Sequence, residues 1–256
     1  MTPYERVWAR MAGKPGDKVP NLNIAMALVA KCAGVSYREY AQNYKKLVEG
    51  NLYCMEHFGF DAVSAISDPM RETASFGATI TFPEDAVPHS TPALLQKDCD
   101  LSKLKIVSPY DNDRTLDRIR AVELFREKMG GEIPIIGWVE GVLAECADLR
   151  GVTELMYDLA EDEEYLPELM EIVHDRQKAF AKAQVDAGAD IIGVGNAVAS
   201  LIGPSLYEEY AMDYDKKIVE YIHSLGAKVK LHICGNITPL LPLLREVGPD
   251  ILDIDW

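Results

Sequence analysis

The sequence is short of positive charge. It has 26 lysine and arginine residues against 41 aspartate and glutamate residues, which gives a formal net charge of −15. Nucleic acids and anionic membrane surfaces are bound through basic patches. The composition therefore argues against either of them as a partner.

The sequence also lacks long apolar runs and an ordered set of cysteines. No apolar run approaches the roughly 20 residues that span a bilayer, and the first residues have no apolar segment of the kind found in secretory signals. The five cysteines are odd in number and scattered, which suits free thiols in a reducing compartment better than a disulfide framework. We therefore predict a cytoplasmic protein without membrane contact.

A helix-to-strand joint recurs along the chain. The phrases that begin at Gly59, Gly188 and Gly248 each contain a glycine, one further residue, an aspartate and apolar residues. Glycine ends a helix by adopting the left-handed conformation, and an apolar run is typical of a buried strand in a parallel sheet. The pattern predicts an α/β architecture, and 256 residues suit one barrel domain.

About six strand–helix units can be placed, where a closed (β/α)8 TIM barrel has eight. Strands are predicted near 62–66, 133–138, 191–195, 228–233 and 251–254, with an opening strand near 19–24 and a hairpin over 75–83. We expect one β/α barrel domain over residues 1–256 whose C-terminal units are missing. An open sheet is the alternative.

His232 and Cys234 form the strongest local signal, at the end of a predicted strand. Residues two apart in a strand point to the same face, and imidazole and thiolate are preferred zinc ligands. A buried histidine and cysteine that are neighbours by chance have the same pattern, and zinc needs three or four ligands. The residues alone leave both interpretations open.

Other polar side chains follow predicted strands. Glu140 and Asn196 each come after a buried apolar run, and Asp253 lies on the last predicted strand. The carboxyl ends of barrel strands form the active face, so these side chains should converge there with His232 and Cys234. We expect Glu140 and Asn196 to be catalytic, and Glu140 or Asp253 to complete a metal shell. The alternative is that such residues cap helices or face solvent.

The segment from His232 to Asn236 resembles the zinc motif of the corrinoid-dependent methyltransferase branch of the uroporphyrinogen decarboxylase superfamily. The resemblance continues over nearly the whole chain, in segments that begin at Thr2, Ala187 and Ser200. It implies a β/α barrel, zinc held by His232 and Cys234, and transfer of a methyl group between a corrinoid protein and a thiol or similar acceptor. The family's second zinc cysteine, in a C-G-N-L-D-P-like segment, has no counterpart here.

Two other functions stay open at this point. One is decarboxylation of uroporphyrinogen in porphyrin (haem) biosynthesis, and the other is a truncated, non-catalytic barrel that serves as a binding module. True uroporphyrinogen decarboxylases carry an arginine-rich M-R-Q-A-G-R stretch that holds substrate carboxylates. The corresponding stretch here, from Val19 to Met26, has no arginine.

We therefore predict that the protein does not decarboxylate uroporphyrinogen. A substrate with many carboxylates loses charge complementarity when no arginine clamp is present. The measurement is a turnover assay in which product porphyrins are separated by their number of carboxyl groups. Stepwise loss of all four acetate carboxyls at an ordinary enzymatic rate would show that the prediction is wrong.

Overall fold

Five parallel strands form one sheet in the part of the chain that the computed structural model describes, residues 1–255. The strands are β1 (Val63–Ser64), β2 (Ile135–Glu140), β3 (Ile191–Gly195), β4 (Lys228–Ile233) and β5 (Ile251–Ile254). Each pairs in parallel with the next one along the chain. Parallel neighbours need connections that return to the starting end of the sheet, and helices provide them here. The result is a half-barrel, part of the predicted α/β barrel arrangement.

Helices precede, separate and cover the strands. Four come before β1: α1 (Pro3–Met11), α2 (Met26–Cys32), α3 (Tyr37–Gln42) and α4 (Tyr44–Phe58). Between β1 and β3 lie α5 (Met70–Ser75), α6 (Asp113–Met129), α7 (Val142–Arg150), α8 (Val152–Glu161) and α9 (Leu166–Asp186). Between β3 and β5 lie α10 (Ala199–Leu206), α11 (Met212–Ser224) and α12 (Leu241–Val247). Within residues 1–255, no helix combines the length and the apolar character needed to cross a membrane.

The strand predictions for 191–195, 228–233 and 251–254 are confirmed residue by residue, and those for β1 and β2 are correct to within two residues at each end. The opening strand predicted near 19–24 is wrong. That segment is irregular because side chains bind its polar groups: the Asn21 amide donates to Asp61 at 2.8 Å, and the Leu22 carbonyl accepts from Lys230 at 2.9 Å. Five strands therefore replace the expected six units, while the expectation of missing C-terminal units stays a prediction.

The hairpin predicted over 75–83 is also wrong. Helix α5 ends at Ser75, and Thr81 forms an isolated antiparallel bridge with His89 instead. The apolar residues that suggested strand pairing lie in a loop between α5 and α6.

The two faces of the sheet belong to two different hydrophobic clusters. Residues such as Val139, Val194 and Leu231 face the helices and join the main hydrophobic core. Residues such as Ile136 and Trp138 face the inside of the curved sheet and form a second cluster with Val7 of α1. The alternation of side chains along each strand produces this division.

The register of the strands creates two rows of inward-facing residues. The lower row contains Trp138, Gly193, Lys230 and Ile251, each paired with the next across the sheet. The upper row, one step closer to the carboxyl ends of the strands, contains Glu140, Gly195, His232 and Asp253. Polar residues thus concentrate at the end of the half-barrel where barrel enzymes bind their substrates.

Candidate active site at the carboxyl end of the sheet

Glu140 begins the upper row and is held by three neighbouring groups. Its Oε1 accepts from Arg71 Nη2 at 2.7 Å and from Trp138 Nε1 at 3.2 Å. Its backbone amide donates to Glu72 Oε1 at 2.8 Å. Both side-chain bonds reach the same carboxylate oxygen, and among residues 1–255 no hydrogen bond is made to Oε2. The Glu140 carboxyl is therefore fixed in place with one oxygen left to interact with a ligand.

Glycines on β3 make room for this arrangement. A Cβ atom at Gly193 would lie 2.1 Å from Cε3 of Trp138, and one at Gly195 would lie 2.8 Å from Oε2 of Glu140. Real side chains do not approach so closely, so any other residue would displace the indole or the carboxyl group. The indole instead lies against β3, with its ring centroid 6.1 Å from that of His232.

Four carboxyl groups interact electrostatically near Arg71: those of Glu72, Glu140, Glu145 and Asp148. Burial raises the pKa of each above its ordinary value, and nearby carboxyl groups, Asp68 among them, raise it further. The charge of Arg71 opposes the shift at Glu72, Glu140 and Asp148 but does not cancel it. Like charges crowded in a poorly solvated place cannot all be ionised. This cluster therefore retains protons at neutral pH.

His232 stands in the same row and contacts Asp253. The imidazole Nδ1 lies 3.2 Å from Asp253 Oδ2, and the Lys230 ammonium lies 2.8 Å from that same oxygen. Burial opposes ionisation of Asp253, but the neighbouring His232 and Lys230 outweigh it and lower the pKa of its carboxyl. Asp253 is therefore a carboxylate, and its negative charge lies beside the imidazole.

Cys234 directly follows β4, and the loop after it is fixed. Gly235 has a φ of 84°, in the left-handed region that favours glycine, and a Cβ there would lie 3.0 Å from Ser200 Oγ. The Gly235 amide donates to Asp255 Oδ2 at 3.2 Å. Continued alternation beyond the strand would direct Cys234 to the same side as His232, and the residue is partly buried.

His232 and Cys234 are donors of the types that zinc prefers, but two donors are fewer than zinc needs. Imidazole and thiolate are suitable donors, and ligating histidines usually have a carboxylate at the other ring nitrogen, as Asp253 is here. Within residues 1–255, however, no group of three or more histidine, cysteine, aspartate or glutamate side chains could hold a metal ion. These residues supply two zinc donors, and a third would have to come from elsewhere.

Asn196 lies at the same end of the sheet, but its side chain points to the helices. Its Nδ2 donates to the two oxygens of Asp215 on α11 at 3.2 and 3.0 Å, and Tyr207 donates to Oδ2 of the same carboxyl at 2.7 Å. Its backbone amide donates to the His232 carbonyl at 2.9 Å. The structure thus brings Glu140 and His232 to one face and leaves the Asn196 amide group on the other.

Three residues of this site were missed from the sequence. Lys230 had a visible signal, since it is a charged residue within a predicted strand, two positions before His232, and so shares its face. Arg71 and Trp138 had none of comparable strength. Their roles depend on contacts with Glu140 that only the fold creates.

The chain is similar to known proteins over nearly its whole length. Residues 2–256 match the family described as Uroporphyrinogen decarboxylase (URO-D). A methylcobamide:CoM methyltransferase, MtbA of Methanosarcina mazei, is 31% identical over 267 residues, which cover 99% of this chain and 76% of that protein. The uroporphyrinogen decarboxylase of Carboxydothermus hydrogenoformans is 21% identical over 262 residues, which cover 100% of this chain and 71% of that protein.

A solved structure agrees with the sequence relatives. A methyltransferase from Methanosarcina mazei superposes with a TM-score of 0.86 at 25% sequence identity, covering 98% of this chain and 75% of that one. The half-barrel is thus similar in its course to most of a methyltransferase of known structure.

The buried acids predict a pH-dependent effect of Glu145→Gln. The pKa of Glu145 in the folded protein is well above the roughly 4.3 expected when unfolded. Above that pH the folded form binds a proton that the unfolded form has released, so stability of the native protein falls as pH rises. The variant escapes this loss. The free energy of unfolding of the variant, relative to that of the native protein, should therefore rise by up to about 1.4 kcal/mol for each pH unit.

Urea unfolding of both proteins at several pH values between 5 and 8 measures this gain. The matched control is Glu127→Gln, at an exposed position on α6, for which the difference should not depend on pH. If the difference in free energy of unfolding between Glu145→Gln and the native protein also stays constant with pH, the account of the cluster is wrong.

Proposed function

The chain belongs to the uroporphyrinogen decarboxylase family, and we propose that it is a methyltransferase of this family that moves a methyl group from a corrinoid protein to a thiol or similar acceptor. The relatives named methylcobamide:CoM methyltransferase support corrinoid-dependent methyl transfer. The single observation that carries the proposal within the chain is the pair His232 and Cys234 at the carboxyl end of β4, with Asp253 beside the imidazole.

We propose that His232 and Cys234 hold zinc. The donor types fit this metal, and Asp253 occupies the position of a partner to the second ring nitrogen. Zinc bound there would lower the pKa of an acceptor thiol in its open coordination position. The thiol is the acceptor chemistry that this donor set favours.

Glu140 is proposed to exchange a proton with the acceptor. Methyl transfer to a thiol would release the thiol proton, while the corrinoid would keep the electron pair of the methyl–cobalt bond. Glu140 lies two strands from His232, about 10 Å between Cα atoms at ordinary strand spacing. Burial raises the pKa of Glu140 to about 8, close to the working pH, where a carboxyl group can both accept and release a proton.

We assign Asn196 a structural role, in which it fixes the carboxyl end of β3. It bonds the His232 carbonyl through its backbone and Asp215 through its side chain. It therefore holds β3 and β4 together next to the site, and its amide group lies away from the row that would face the substrate.

The pairing of interior cations argues against a substrate with many carboxylates. Arg71 is paired with Glu140, and Lys230 is paired with Asp253. Each of these cationic side chains thus already has a carboxyl partner and is not free to bind a substrate carboxylate. The cytoplasmic location inferred from the sequence stays a prediction.

Methyl transfer should require both His232 and Cys234. With zinc present and methylcobalamin as the methyl donor, the protein should convert a small thiol to its methyl thioether. His232→Ala and Cys234→Ser should each lower the rate by more than the ~10–100-fold typical of losing a second-shell partner, because they remove the metal donors themselves. Thioether formation is followed by mass spectrometry, and donor consumption by the visible absorbance of the corrinoid.

Matched controls are His223→Ala and Cys32→Ser. His223 lies at the end of α11 and Cys32 at the end of α2, both outside the upper row. These variants should retain the native rate and the native zinc content. Transfer that proceeds equally well without zinc, or in the His232 and Cys234 variants, would overturn the proposed function.

A further inference from the structure

We propose that Asp253, itself anchored by Lys230, is a positioning residue that fixes the ring orientation of His232 and keeps the proton on its Nδ1 atom. The inference deepens the proposed function and rests on it only where His232 is treated as a metal ligand. The claim about the ring itself can be tested in the protein without metal.

The strand register places the three side chains together. His232 pairs directly with Asp253 across β4 and β5, and Lys230 is the inward-facing residue just before His232 on β4. Lys230 Nζ lies 2.8 Å and His232 Nδ1 lies 3.2 Å from the same oxygen, Oδ2 of Asp253. One carboxylate oxygen thus serves both groups.

Lys230 is also held by a second contact, with the irregular segment that precedes α2. Its ammonium donates to the Leu22 carbonyl at 2.9 Å, in the irregular segment before α2. The side chain is 2% exposed, so it cannot move away from Asp253 into water. Asp253 is therefore held by a buried group that is itself bound at a fixed point of the backbone.

The contact determines which imidazole nitrogen is available. Nδ1 of His232 is buried, and a buried ring nitrogen needs a partner. Asp253 Oδ2 lies 3.2 Å away, within hydrogen-bond range, and is the acceptor that we assign to this nitrogen. A carboxylate can only accept, so Nδ1 must carry the hydrogen and Nε2 must keep its lone pair. The His232 side chain is 26% exposed, which leaves the Nε2 lone pair available to a metal ion.

A second trio of the same residue types lies at the opposite end of β4 and β5, with its histidine on α11. Asp250, just before β5, contacts His223 Nε2 at 2.7 Å and Lys228 Nζ at 2.8 Å. The residue types are identical to those of the site, but the histidine there presents its other nitrogen and is more exposed. Asp250→Asn is therefore a control for the loss of an aspartate between a lysine and a histidine.

The first measurement is nitrogen NMR of the metal-free protein with 15N-labelled histidine, recorded where the ring signals no longer change with pH. His232→Gln assigns the resonances. The native protein should show His232 with the hydrogen on Nδ1. Asp253→Ala should shift the signals toward the Nε2-protonated form, Asp253→Asn should give a smaller shift, and Asp250→Asn should leave His232 unchanged.

The second measurement is zinc affinity by competition with a chelating dye. Asp253→Ala should weaken zinc binding by ~10–100-fold, the usual effect of losing a second-shell carboxylate, and Asp250→Asn should not change it. If Asp253→Ala alone does not fold because Lys230 loses its partner, the double variant Lys230→Met, Asp253→Ala removes both charges and is compared with Lys230→Met.

The outcomes separate this inference from the proposed function. A native His232 with the hydrogen on Nε2, or a protonation pattern that Asp253→Ala leaves unchanged, would overturn the positioning role whatever the protein binds. If the native protein binds no zinc while the NMR result is as expected, the role of Asp253 stands and the proposed metal site fails.

Discussion

The in-register pairing of β2, β3, β4 and β5 is the constraint on which the site depends. A shift of one residue in a strand exchanges its two faces. Such a shift in β4 would turn Leu231 and Ile233 inward and send Lys230 and His232 into the apolar layer under the helices. The helix-facing residues of β4 are almost fully buried, so the hydrophobic core fixes the register and the polar row follows from it.

The polar row carries a cost that the packing has to offset. Taking an ion pair out of water costs several kcal/mol per ion before the charges attract one another, and both Arg71–Glu140 and Lys230–Asp253 are partly or fully buried. Apolar side chains of equal volume would stabilise the fold at least as well. The pairs are better understood as contacts that position side chains at the carboxyl end of the sheet. Arg71 orients Glu140, and Lys230 orients Asp253 beside His232.

Much of the sheet could be predicted from the sequence, because its strands are short apolar runs bounded by glycine and aspartate. The position of His232 near the end of a strand, with Cys234 just after it, was predictable from the sequence, while their binding of zinc stays a prediction. Strict alternation from Gly193 and Gly195 also places Asn196 on the helix side, so its orientation could have been found by counting. The irregular segment near Leu22 could not, because its partner Lys230 is 208 residues away. Arg71 was missed for the same reason, since its partner Glu140 lies 69 residues further on.

The central claim is that His232 and Cys234 bind zinc, and X-ray absorption at the zinc edge tests it most directly. The account predicts a sulfur neighbour at about 2.3 Å and an imidazole nitrogen at about 2.0–2.1 Å from the metal. The Cys234→Ser variant should lose sulfur scattering, and the His232→Ala variant should lose imidazole scattering. A shell of oxygen and nitrogen alone, identical in the native protein and both variants, would contradict the account.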